Sequence, residues 1–138
     1  MAPEKTSKEK AEVFLRSALF KKAVDPVLIR LEKLTSLTDY FLIVSAGSGK
    51  QVKAIAEAIM QEAHDLGIPR LSAEGVQQGS WALLDYGDVI VHVFQKAVRE
   101  FYDLEGLWAE APREEFSRDL KEEIEAGANS PEEEDDWD

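Results

Sequence analysis

Gly79–Trp108 reads G-S-W-A-L-L-D-Y-G-D-V-I-V-H-V-F-Q-K-A-V-R-E-F-Y-D-L-E-G-L-W, and this stretch decides the fold. Trp81 to Asp85 is an apolar run closed by an acid, which suits a strand. Tyr86-Gly87 can turn the chain, because glycine takes positive φ without a steric cost. Val89 to Phe94 is a second strand rich in β-branched residues. In that strand a period of two puts His92 on one face with Ile90 and Phe94. From Ala97 to Trp108 the spacing of Val98, Phe101, Tyr102, Glu105 and Trp108 predicts one helix. Two of the three Trp and two of the three Tyr lie here, and such side chains are enriched where proteins meet proteins.

Working outward, Thr6 to Lys22 reads as an amphipathic helix. Thr6 and Glu9 form a capping box, and Ala11, Phe14, Leu15, Ala18 and Leu19 make one apolar stripe to pack on a sheet. Asp25-Pro26 is expected to break that helix. Val27 to Leu31 alternates, with Val27, Ile29 and Leu31 on one side, as in a half-exposed edge strand. Tyr40 to Val44 is nearly continuous in strand formers and reads as a central strand covered on both faces. Ser48 and Gln51 form a second capping box. It opens a helix whose apolar face is Val52, Ile55, Ala56, Ile59, Ala63 and Leu66, with Gly67 as its terminating glycine. Leu71 to Ala73 is a short strand, and Glu74 to Ser80 a polar loop. The order is α-β-β-α-β-β-β-α: an α/β fold with a mixed sheet of about five strands covered by helices.

The chain has 138 residues and a net charge of −12. Residues 1–112 hold 13 basic and 16 acidic groups; residues 113–138 hold 3 and 12. The division is therefore an α/β domain over 1–112 and an acidic extension over 113–138. In the extension Phe116, Leu120 and Ile124 mark a short helix over 114–126 that must dock to be stable. Beyond Gly127 the chain is expected to be disordered, with Trp137 an incidental or partner-seeking residue. With this charge, independent binding to a phosphate backbone, DNA included, is disfavoured; the acidity suits docking on a basic protein and equally suits a purely solubilising role. The absence of Cys excludes disulfides and thiolate metal sites. The N-terminus carries no apolar leader, and no window of the chain suits a membrane span.

Three segments in order, L-T-S-L-T-D-Y-F-L-I-V-S, W-A-L-L-D-Y-G-D-V-I-V-H-V-F and R-E-F-Y-D-L-E-G-L-W, resemble the ribosomal silencing factor family, RsfS or iojap, over about Ala11 to Pro112. The resemblance implies a small cytoplasmic protein with a fold related to the nucleotidyltransferases; it also permits an organelle form, but the N-terminus lacks the Arg-rich pattern of a transit peptide, so a bacterial cytoplasm is expected. It implies binding to the large ribosomal subunit through its fourteenth ribosomal protein. Joining of the small subunit is then blocked and translation lowered. It also implies self-association as a homodimer and no cofactor. On this reading Trp81 and Tyr102 are aromatic anchors, Asp85, Tyr86, Asp88 and Glu105 supply a polar rim, and Phe101 and Trp108 belong mainly to the core.

Three motifs offer other chemistry. A-G-S-G-K-Q at Ala46–Gln51 looks like a phosphate loop. It has Val44 where that loop needs Gly, and Gln51 where it needs the hydroxyl that would hold Mg²⁺. A tight strand-to-helix turn accounts for the same residues. Asp85 and Asp88 flank a turn and could hold Mg²⁺ in a nucleotidyltransferase-like enzyme, the alternative function. They could equally bond turn N–H groups or pair with a basic partner. His64 and His92 have no zinc spacing, and His92 is expected to be a hydrogen-bonded structural residue.

Overall fold

A computed structural model of the protein describes residues 5–129. Its elements are α1 (Ser7–Phe20), β1 (Val24–Arg30), β2 (Tyr40–Ala46), α2 (Gly49–Asp65), β3 (Ser72–Glu74), β4 (Trp81–Asp85), β5 (Val89–Gln95), α3 (Lys96–Tyr102), α4 (Leu104–Leu107) and α5 (Arg118–Asn129). The five strands form one mixed sheet in the order β1-β2-β5-β4-β3. β2 and β5 pair in parallel at its centre, and the other pairs are antiparallel. The expected α/β class and strand number are both present.

The pleat sorts side chains between two cores. Tyr40, Leu42 and Val44 on β2, Val89, Val91 and Val93 on β5, and Ala82 and Leu84 on β4 point to one face. There α1 and α2 cover them with Phe14, Leu15, Val52, Ile55 and Ile59. Each such side chain, once buried, contributes about 1.5–3 kcal/mol. On the other face Ile29, Leu31, Ile43 and Phe94 form a smaller core, with Val98, Leu104 and Trp108 packed onto it. Leu83 and Ile90 also point to this second face by period two. They are only partly buried and belong to neither core, so the β4 side of this face stays open.

Local signals hold at the helix starts. Thr6 and Glu9 complete a reciprocal capping box. At α2, Ser48 Oγ accepts from Gln51 N–H at 3.1 Å, but the Gln51 side chain does not close the box. It accepts from Gly47 N–H and donates to the Lys21 and Lys22 carbonyls instead. Asp25-Pro26 does not end the first helix. Lys22, at φ 68°, turns the chain just after α1, and Asp25-Pro26 lies inside β1, within an irregularity of register between Val24 and Val27.

The helix expected over Ala97–Trp108 is two helices. Asp103 adopts φ 47° and its carboxylate accepts from Gly106 N–H at 3.2 Å, ending α3 and capping α4. An aspartate tolerates this left-handed geometry because its short side chain bonds locally. A side chain at position 106 would collide with that carboxylate.

Residues 112–114 run along the outer edge of β1. Arg30 N–H donates to Pro112 O, Glu114 N–H donates to Leu28 O, and Ile29 bridges Arg113. The edge is thus covered, which removes a pairing hazard. α5 begins at Arg118, four residues later than expected, and lies on α1. Leu120 is fully buried and Phe116 and Ile124 pack beside it. Ser117 N–H donates to Glu12 Oε2 at 2.8 Å. The tail from residue 130, including Trp137, lies outside the described residues.

Because Leu120 joins the extension to the main core, Leu120→Ala should lower unfolding stability by about 2–3 kcal/mol. In urea the midpoint should fall with little change of slope, since the domain still unfolds as one unit.

Candidate functional site

The open half of the second face carries the aromatic residues. β4 places Trp81 there, because residues 81, 83 and 85 alternate away from Ala82 and Leu84. The indole stacks on Phe94 at 4.7 Å between ring centroids and meets Tyr102 at 5.0 Å. Tyr102 in turn meets Phe101 edge-on at 5.0 Å. Together with Ser80, Ala97 and Val98 these rings line a shallow groove of about 390 Å³. Phe101 is 80% exposed and Tyr102 52% exposed. The assignment of Phe101 to the core is therefore corrected. The break at Asp103 leaves α3 only seven residues long, and its outer side projects Phe101 past the edge of the second core. Trp108 packs against that core and edge-on against Phe41 at 6.1 Å, as expected.

Trp81 is held from below by His92. The indole Nε1–H donates to His92 Nδ1 at 3.1 Å, so the imidazole proton sits on Nε2. His92 is 3% exposed and stands edge-on to Phe41 at 4.5 Å. Burial lowers its pKa from 6.5 to about 4, so it is neutral near pH 7 and remains an acceptor. With its one donor already used, the indole offers an approaching partner its apolar body and π-face rather than a hydrogen bond.

The polar residues expected at the rim are placed differently. Tyr86 is 5% exposed, with its ring 4.5 Å from Phe14, and burial raises its phenol above its ordinary value. It belongs to the helix-covered core, on the opposite face of the sheet, and is not a rim residue. The pleat of β4 continues into the turn and directs it there. Asp85 Oδ1 accepts from Gly87 N–H at 2.8 Å and closes the turn. Asp88 accepts from Lys10 Nζ at 3.1 Å and so ties the β4–β5 turn to the start of α1, while Ser7 Oγ donates to Asp39 Oδ2 at 2.6 Å and lies 3.1 Å from Asp88. Both carboxylates are thus committed inside the molecule. Among the described residues they join no cluster of three metal-ligating side chains.

Glu105 is also partnered. Its carboxylate receives two parallel bonds from Arg99, at 3.0 and 2.9 Å. Those bonds hold its pKa below the usual carboxylate range. Arg99 further donates to Asp25 O at 2.8 Å and Ser45 Oγ at 2.7 Å. One guanidinium therefore ties α3, α4, β1 and β2 together and sets the angle at which α3 presents its aromatic rings. Nothing in the sequence singled out Arg99. Its only signal is a lone guanidinium between Val98 and the Phe101-Tyr102 pair.

The geometry describes a small α/β protein whose distinctive feature is an aromatic face on a half-covered sheet. Residues 4–138 match the family model described as ribosomal silencing factor during starvation. The chain is 45% identical to the ribosomal silencing factor RsfS of Bacillus subtilis over 92 residues, 67% of this chain and 78% of that one. A crystal structure of a Chromobacterium violaceum protein superposes with a TM-score of 0.75 at 32% identity, covering 82% of this chain and 93% of that one. A more distant relative is the mouse mitochondrial assembly of ribosomal large subunit protein 1. It is 29% identical over 89 residues, 62% of this chain and 39% of its own length. The chain belongs to the ribosomal silencing factor family. None of its described helices is long and apolar enough to cross a membrane.

His92 gives the site a pH signature. The unfolded chain takes up its imidazole proton below pH 6.5, whereas the folded chain does so only near pH 4. This contribution to stability is complete above pH 6.5 and is lost as pH falls toward 4, by about 3 kcal/mol in all. His92→Gln should flatten that part of a stability-versus-pH curve. It should leave the loss at lower pH that comes from Glu105.

Proposed function

We propose that this protein is a bacterial cytoplasmic silencing factor that acts by occupying a surface, without catalysis. It docks the Trp81–Tyr102 groove on the fourteenth protein of the large ribosomal subunit, at the face where the small subunit joins. The observation that carries this reading is the aromatic groove itself. Trp81 is fixed by its bond to His92 and meets Tyr102, which in turn meets the exposed Phe101, so the groove presents a connected set of large rings. Large rings already held in place lose little entropy on binding, so their contact area converts efficiently into affinity. Membership of the ribosomal silencing factors, and a relative named for large-subunit assembly, support the choice of the large subunit.

In this reading Asp85, Asp88 and Glu105 support the docking face instead of forming its contact rim. Asp85 shapes the turn, Asp88 anchors that turn to α1, and Glu105 locks Arg99. The nucleotidyltransferase alternative, which needs Asp85 and Asp88 free for Mg²⁺, is disfavoured by the same bonds. A homodimer formed through the groove would compete with docking, so dilution into monomers should raise the apparent affinity for the subunit.

The test is co-sedimentation with purified subunits. The wild-type chain should travel with large subunits and lower the yield of whole ribosomes when small subunits are added. Trp81→Ala and Tyr102→Ala should each weaken large-subunit binding by about tenfold or more while the fold persists by circular dichroism. Unchanged affinity in both would remove the groove from the interface.

A further inference from the structure

The groove turns aromatic rings toward a partner, more than hydrogen-bonding groups. Ser80, Ala97 and Val98 complete its walls. Its three rings form a connected series, with Trp81 and Tyr102 5.0 Å apart between centroids and Tyr102 and Phe101 5.0 Å apart. The indole N–H is spent on His92 Nδ1, so Trp81 meets a partner with its ring and not with a donor. An aromatic ring has a negative face, which attracts a cation lying within about 6 Å of its centroid.

The strand beside Trp81 adds a charge. β3 pairs with β4 so that Ser72 lies opposite Asp85 and Glu74 opposite Leu83. Residues opposite one another in a ladder point to the same face, so Glu74 shares the second face with Leu83 and Trp81. Trp81 is the diagonal neighbour of Glu74, a spacing of roughly 7–8 Å that long side chains bridge. The next residue keeps β3 close to Trp81: Gly75 has φ 77°, and a Cβ there would collide with Trp81 O. Glu74 is exposed, and among the described residues no hydrogen bond or ion pair engages its carboxylate. Of the other residues that β3, β4 and β5 place on this face, Asp85 is the one acid, already bonded to Gly87 N–H, and none is Lys or Arg. The segment from α3 through α4 carries Lys96 and Arg99 against Glu100, Asp103 and Glu105, with Arg99 bound to Glu105. An aromatic groove thus has an unpaired carboxylate next to it on an acidic face.

We propose that the groove receives an arginine or lysine side chain of a basic protein partner, its cationic end against the rings of Trp81 and Tyr102 and its charge balanced by Glu74. The inference rests on the docking reading above and names the chemistry of that contact. A purely apolar side chain would bury against the same rings but leave the Glu74 carboxylate at the edge of the contact without a partner. An RNA phosphate would be repelled by that carboxylate. A long cationic side chain satisfies both features: its aliphatic stem lies along Ala97 and Val98, and its head meets the rings and the carboxylate. Arginine suits the site better than lysine, because a planar guanidinium stacks on a ring while its N–H groups still reach an acceptor.

The experiment replaces Trp81 in the full chain, site-specifically, by mono-, di- and trifluorotryptophan. Fluorine drains the negative face of the indole while keeping its shape and its N–H, and makes the ring more apolar. Affinity for purified large subunits and for the isolated fourteenth ribosomal protein should fall stepwise along the series, by about tenfold in all on both targets. Glu74→Gln should weaken both about threefold at low salt and converge with the wild type as KCl is raised. Affinity that holds or rises with fluorination would overturn the cation and leave the docking reading standing, with an apolar side chain in the groove. A stepwise loss on the subunit but not on the isolated protein would also overturn it, since the cation would then lie outside that protein. Glu74→Gln equal to the wild type at every salt concentration would overturn the counter-charge. An unmodified chain that binds neither target would remove the docking reading and this contact together.

Discussion

The parallel pairing of β2 with β5, Tyr40 opposite Val89 through Ala46 opposite Gln95, is the constraint on which the rest of the structure depends. These two strands are bonded on both edges, and their rows of side chains are divided between two cores, so they cannot slip by one residue without exchanging the two. Val89, Val91 and Val93 are committed to α1 and α2, which leaves Ile90, His92 and Phe94 for the other side. Every part of the candidate site is positioned from that second row. Phe94 is the floor under Trp81, and His92 is the acceptor that fixes the indole. Ile90 lies where the sheet is left uncovered.

The protein divides its polar groups between holding and presenting. The charged residues around the site are mostly engaged inside the molecule: Arg99 with Glu105, Asp88 with Lys10, Asp85 with Gly87. Such bonds are directional and fix angles, which an apolar contact does less well. What remains outward on the groove is largely apolar. A surface of this kind suits recognition of a partner by shape. This fits a family whose members are named for silencing ribosomes.

The acidic extension is tied to the domain at two levels. Residues 112–114 cover the free edge of β1, and Leu120 seals the outer side of α1. Both attachments lie away from the groove. The described part of the extension therefore steadies the scaffold from behind and does not mask the face in front.

The sequence by itself determined the elements whose cause is local. The Thr6 capping box, the Val89–Phe94 strand, the α2 stripe from Val52 to Ala63, and the central place of Tyr40–Val44 all follow from propensity and period, whereas Leu66, read as the last residue of that stripe, is the exposed C-cap. The family resemblance, written into three contiguous segments, was legible for the same reason. It also drew attention to Trp81 and Tyr102. Only the tertiary structure decided which polar residues are free. Tyr86 looks like a turn tyrosine until the pleat sends it under Phe14. Glu105 looks like a rim acid until Arg99, six residues earlier, reaches it. Phe101 looks like core until the left-handed Asp103 shortens its helix. Gln51 looks like the closing half of a capping box until its side chain reaches back to the carbonyls of Lys21 and Lys22, thirty residues earlier. Exposure and pairing depend on distances between residues far apart in the chain, and no periodicity within one segment encodes them.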